Sequence, residues 1–219
     1  VRQLAMRVLP GLLIDREQTG AAPLAAAVER LLALMAEPGR QQEERAQALL
    51  AAARLAVLAD DQLPGAAPLS NRVDGAAAEL GLAAIPAWGH LAAGAHLAPA
   101  RRVELVERML ALVVAEAPDE AAEAQLDPAT QEITYQMGQQ LGAHTEQVPR
   151  LLLALRQIAA SPAVPAPVVR RIVTQLVTHW RAVTAWEIVW GPGNILLLGQ
   201  VLAQMGAEPA FDRGLRQQI

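Results

Sequence analysis

The chain contains neither cysteine nor lysine. Without cysteine there is no disulfide framework, no thiolate metal ligand and no cysteine nucleophile. Without lysine there is no Schiff-base chemistry and no P-loop lysine to hold a phosphate. All 18 basic residues are therefore arginine. A codon bias is the plain reading of that fact; avoidance of lysine-directed modification is the sharper one. Aromatic residues make up only 3% of the chain, so its core must be built from Leu, Val and Ala. Serine occurs only at Ser70 and Ser161, and no Gly-x-Ser-x-Gly nucleophile motif exists. Alternating β-branched and aromatic runs, the signature of strands, are nearly absent.

What is present is a long, apolar, mildly acidic sequence. Its 219 residues suffice for one large domain or two small ones with a sizeable core. Hydrophobic residues account for 53%, much of it alanine, which favours helix while burying little area. The formal charge of −4 argues against a general nucleic-acid binder, which needs a basic face to displace counterions. Two arginine doublets, Arg101-Arg102 and Arg170-Arg171, read as solvated helix starts. The uncharged runs 80–100 and 188–206 are interrupted by alanine, proline and glycine, so no membrane span is expected. No signal peptide is visible, and a cytoplasmic protein is expected. The first residue is Val1, which suggests a processed chain or a piece of a longer one.

The pattern predicts helix after helix. The run 23–39 places Leu24, Val28, Leu31, Leu32 and Met35 at helical spacing and stops at Pro38-Gly39. The run 40–65 turns Ala46, Leu49, Leu50, Ala53 and Val57 inward. A helix over 68–82 is expected to begin on Ser70 or Asn71 as its cap. A short, small-sided helix follows over 86–97. The run 99–118 is amphipathic through Val103, Leu105, Val106, Met109, Leu110 and Val113. Asp127-Pro128 opens another helix that reaches Gly142, and Thr145 caps the next. Three prolines in 161–167 mark a turn or short rigid linker. The longest helix is expected over 168–190, ended by Gly191 and Pro192. The break at 161–167 divides the chain into a helical domain over 1–160 and a C-terminal piece over 168–219, unless the two form one continuous domain.

Glycine within a helix costs about 1 kcal/mol relative to alanine, so Gly199 and Gly206 in one apolar helix call for a packing reason. Ile195-x2-Leu198-Gly199-x2-Leu202 resembles the first helix of a tetratricopeptide repeat, with Ile and Leu replacing the aromatics. Gly206 falls at the small residue near that helix's end, and Phe211-x3-Leu215 falls where the second helix packs. Fainter echoes begin at Thr134 and at Trp88, the latter followed by Leu105-x3-Met109. The three starts lie 46 and 61 residues apart (88, 134, 195), where a regular array repeats every ~34. The resemblance implies an irregular helical repeat. In that family a concave groove holds a peptide, in some members through lysine contacts to its carboxylate. The missing lysine removes that mode here.

Candidate chemistry is sparse. His90 and His96 are six apart and share no helix face, and no His-Glu-x-x-His motif occurs, so no metal or cofactor is expected. Asp60-Asp61 reads as a solvated doublet at a helix end; to bind a metal–diphosphate it would need further acidic residues at helical spacing on a facing helix, a spacing that Asp74 and Glu79 do not supply. Trp180, Trp186 and Trp190 gather three of the four tryptophans in one helix, either as core or as an interface hot spot. The resulting expectation is an all-α fold of stacked antiparallel helical hairpins, repeat-like or bundle-like. Its expected role is a non-enzymatic scaffold or adaptor within a larger regulatory or signalling assembly, with a protein partner at those tryptophans. The alternative is a helical-bundle enzyme or small-ligand binder using Asp60, Asp61 and a histidine.

Overall fold

The computed structural model describes residues 20–62, 67–115, 147–183 and 187–207. Among them every regular element is helical, and the fold is all-α. In chain order these are α1 (Ala21–Ala36), α2 (Gln42–Gln62), α3 (Leu69–Ala77), a 3₁₀ segment (Ala78–Ala84), α4 (Ile85–Ala93), α5 (Pro99–Ala115), α6 (Gln147–Ala159), α7 (Ala166–Val183) and α8 (Glu187–Ala207). No described helix is long and apolar enough to cross a membrane. The Asp127-Pro128 start, the Thr145 cap, the Thr134 echo and the Phe211/Leu215 positions lie outside the described residues.

The chain divides into two compact units. One comprises residues 1–105 with 161–164; the other comprises 106–160 with 165–219. In the first unit α2 is the central element, packed against α1, α3, the 3₁₀ segment and α4. Its composition explains how it can be central. Ala46, Ala48, Ala51, Ala52, Ala53, Ala56 and Ala59 are all buried, so neighbouring helices can approach it from several sides. Leu49 and Leu55 are fully buried between them and each contribute on the order of 2 kcal/mol. From α1, Leu24, Val28, Leu31 and Met35 form the buried stripe, at the predicted spacing. Where α2 meets the end of α4, a Cβ on Gly94 would lie 2.9 Å from Val57 Cγ2, so a larger residue there would force the Val57 side chain or the backbone to shift.

In the second unit α6, α7 and α8 pack against one another. Buried Leu151, Leu152, Leu155 and Ile158 of α6, Ile172, Val173 and Leu176 of α7, and Leu198, Val201, Leu202 and Met205 of α8 form its aliphatic core. Gly199 of α8 has the packing role its position suggests: a Cβ there would stand 3.0 Å from Trp180 Cη2 and 3.2 Å from Cζ3 of α7. The indole therefore lies directly over the α8 backbone.

Two sequence expectations are corrected. The expected long helix over 168–190 is two helices: α7 ends at Val183, and α8 runs from Glu187 through Gly191, Pro192 and Gly193. A proline in the second turn removes one amide bond, to the carbonyl four residues back, and does not by itself end a helix. Val103 is 44% exposed and is not part of the inward face of α5, while Leu105, Val106, Met109, Leu110 and Val113 are buried.

The Gly199 contact sets a test. Gly199→Leu is expected to destabilise the chain by about 1–3 kcal/mol through overpacking against Trp180. Gly199→Ala is expected to fall within about 0.5 kcal/mol of wild type, because the helix-propensity gain of about 1 kcal/mol offsets a small tilt of the indole. Urea denaturation of the three proteins measures both.

Candidate functional site

Asp60, in the last turn of α2, is only 5% exposed. Its Oδ1 accepts the Leu69 amide at 2.7 Å. Its Oδ2 accepts the Ser70 amide at 3.0 Å and the Ser70 hydroxyl at 2.6 Å. Leu69 and Ser70 are the first two residues of α3, whose preceding residue, Pro68, has no side-chain cap to offer. Asp60 therefore caps α3 from a different helix, with its charge at the positive end of the dipole. The expected cap on Ser70 or Asn71 is corrected: Ser70 lies inside the helix and donates to the actual cap. The reading of Asp60 as solvated is corrected with it.

Asp61 faces another way. Its Oδ1 lies 2.8 Å from His96 Nε2, and both side chains are partly exposed. His90 belongs to a different contact, in which Arg54 Nε of α2 donates to His90 Nε2 at 3.1 Å. Burial, and secondarily the Arg54 cation, lower the His90 pKa to about 4, so its imidazole is neutral near pH 7. The candidate set thus reaches three separate partners: Asp60 the start of α3, Asp61 His96, and His90 Arg54. Among the described residues no group of three or more His, Asp or Glu side chains could hold a metal ion. His179 of α7 is buried, which lowers its pKa to about 4.

The Arg101-Arg102 doublet is also not a solvated face. Arg102 is 4% exposed and spans the end of α4, donating from Nε to the Ala92 carbonyl at 2.8 Å and from Nη2 to the Gly94 carbonyl at 2.7 Å. Ser161 Oγ donates to the intervening Ala93 carbonyl at 2.6 Å. Three successive carbonyls left open by the helix end are thereby closed by two side chains from outside α4, one of them 68 residues away. Arg101 pairs with Asp74 (Nε to Oδ2, 2.7 Å) and Glu104 (Nη1 to Oε1, 2.5 Å), which raises its pKa, the Asp74 bond contributing most. Arg45 closes α1 in the same manner, its Nε donating to the Met35 carbonyl at 2.8 Å. Arg171 meets Glu107 on the surface.

The partner-binding candidates are only partly described. Trp180 is half-buried over Gly199. Trp186 and the side chain of Trp190 lie outside the described residues. Sequence reasoning missed Leu196, at 63% the most exposed large hydrophobic residue described. It sits three residues before Gly199 in the uncharged stretch 194–207. The signal available was that absence of charge.

These closures are measurable. Asp60→Ala is expected to cost about 1–2 kcal/mol, the usual range for a lost helix cap, with Asp60→Asn losing less because its amide oxygen still accepts. Arg102→Lys is expected to cost about 1–2 kcal/mol, since one ammonium cannot reproduce a fork across two carbonyls. Thermal and urea unfolding of the variants supply the values. Neither protein-family models nor curated proteins nor solved structures give a significant match to this chain.

Proposed function

We propose that the chain is a non-enzymatic helical scaffold or adaptor that binds a protein partner, as a segment or subunit of a larger regulatory or signalling assembly. The observation that carries this reading is the commitment of the reactive side chains to architecture. The two oxygens of Asp60 accept three hydrogen bonds from α3, so this carboxylate has little capacity left for substrate or metal. The alternative that Asp60, Asp61 and a histidine form one ligand site loses its central member.

The second unit supplies the features of a contact surface. Leu196 is exposed three residues before Gly199, over which Trp180 lies half-buried, in a helix stretch that carries no charge over 194–207. Tryptophan is enriched in interface cores, and charged residues are depleted there. The tetratricopeptide-like spacing of Ile195, Leu198, Gly199 and Leu202 agrees with a helical-repeat scaffold.

Native mass spectrometry of the chain purified from its own host tests the proposal. A stoichiometric protein companion that Leu196→Glu abolishes and Asp61→Asn retains is the expected result. A chain that carries a small molecule or metal ion instead of a protein companion overturns it.

A further inference from the structure

The first unit contains a seam in which two histidines near the end of α4 meet two charged residues of α2. Arg54 and Asp61 lie seven residues apart, on one face of α2. Arg54 Nε donates to His90 Nε2 at 3.1 Å, and Asp61 Oδ1 lies 2.8 Å from His96 Nε2. Between these points Val57 of α2 fills the space a Gly94 side chain would need. We infer that this seam is an acid-opened latch, closed while His90 accepts the Arg54 hydrogen bond and released when His90 takes up a proton.

The physical reason lies in what each group can do on protonation. His90 Nε2 cannot accept from Arg54 and carry a proton at the same time. Protonation therefore ends the bond and sets an imidazolium beside a guanidinium. Arg54 is exposed and can swing into water, but the His90 ring is partly buried and needs hydration to hold a charge. Water reaches it when the end of α4 lifts from α2.

The other charged groups on the elements around α4 are engaged elsewhere. On α2, Asp60 caps α3, Asp61 meets His96, Glu43 accepts from Gln47, Glu44 pairs with Arg40, and Arg45 bonds the Met35 carbonyl. On α3, Asp74 pairs with Arg101 and Arg72 with Glu29. On the 3₁₀ segment, Glu79 pairs with Arg45. On α5, Arg102 binds the Ala92 and Gly94 carbonyls. His96 makes a separate contact, with Asp61 at 2.8 Å.

The sign follows from linkage. The closed ring has a pKa of about 4 against 6.5 for the hydrated ring, so the seam is at full strength above pH 6.5 and weakens as pH falls toward 4. Opening is then favoured by roughly a hundredfold at pH 4 relative to pH 7.

Hydrogen exchange of the full chain at both pH values, corrected for intrinsic rates, provides the test. Protection of the amides of Ile85–Ala93 is expected to fall roughly a hundredfold in wild type between pH 7 and pH 4. In His90→Gln, whose amide oxygen accepts from Arg54 at either pH, the fall is expected to stay within about threefold. Equal loss in wild type and His90→Gln, or no loss in wild type, overturns the inference. If His90→Gln does not fold, NMR titration of the assigned wild-type His90 ring replaces it. A midpoint well below 6.5, with α2 and α4 amide shifts tracking it, supports the latch; a midpoint at the ordinary histidine value overturns it.

Discussion

The first unit depends on how closely α2 allows other helices to approach. A helix buried on most of its circumference cannot carry large side chains on every face, and seven buried alanines are the solution this chain uses. Close approach has a cost. Helices drawn tightly around a common neighbour have their ends inside the protein, where open amides and carbonyls lose water. Those ends must be closed by side chains already present. Asp60 at the start of α3, Arg102 and Ser161 at the end of α4, and Arg45 at the end of α1 do this from other parts of the chain. Alanine packing and long-range capping are thus two halves of one arrangement.

This arrangement gives the exclusive use of arginine a structural meaning beyond codon bias. Closing two carbonyls two residues apart calls for donors separated by a rigid spacer, which the guanidinium has and an ammonium lacks. Arg102 uses Nε and Nη2 in this way. Its burial lowers its pKa, but an arginine side chain remains charged under such conditions. Arg101, one residue earlier, takes the opposite course and joins two carboxylates, the buried Asp74 and the exposed Glu104. Adjacent identical residues therefore perform different work because consecutive positions on a helix point about 100° apart.

The bodies of the helices and some of their ends, such as the stop of α1 before Pro38-Gly39 and the start of α5 at Pro99, were legible in the sequence; the side chains that close the ends were not. Periodicity placed Leu24, Val28, Leu31 and Met35 on one buried stripe, because burial repeats with the helical turn. The small residue at 199 was legible as a close approach, now seen to Trp180. Local rules failed where a distant residue intervened. Ser70 has the chemistry of a cap, yet Asp60 occupies that role from ten residues away, a choice that depends on how α2 and α3 pack. The division of the predicted long helix at Val183, with α8 continuing through Pro192, also contradicts local punctuation. Of the candidate site, the separation of Asp60, Asp61 and His90 could not be read from spacing, since their partners come from three other segments.

The Asp60–Ser70 contact carries a consequence for how such a chain can change over generations. The carboxylate accepts the hydroxyl at 2.6 Å in a buried setting, so Asp60 cannot be lost while Ser70 remains without leaving that hydroxyl unpaired. Loss of the carboxylate strands a hydroxyl and two amides, whereas loss of the hydroxyl alone leaves the carboxylate with both amides. The order of substitutions therefore matters: the path that removes Ser70 first passes through a tolerated intermediate, and the reverse path does not. The start of α3 is a ratchet on the divergence of this sequence, permitting traffic in one direction.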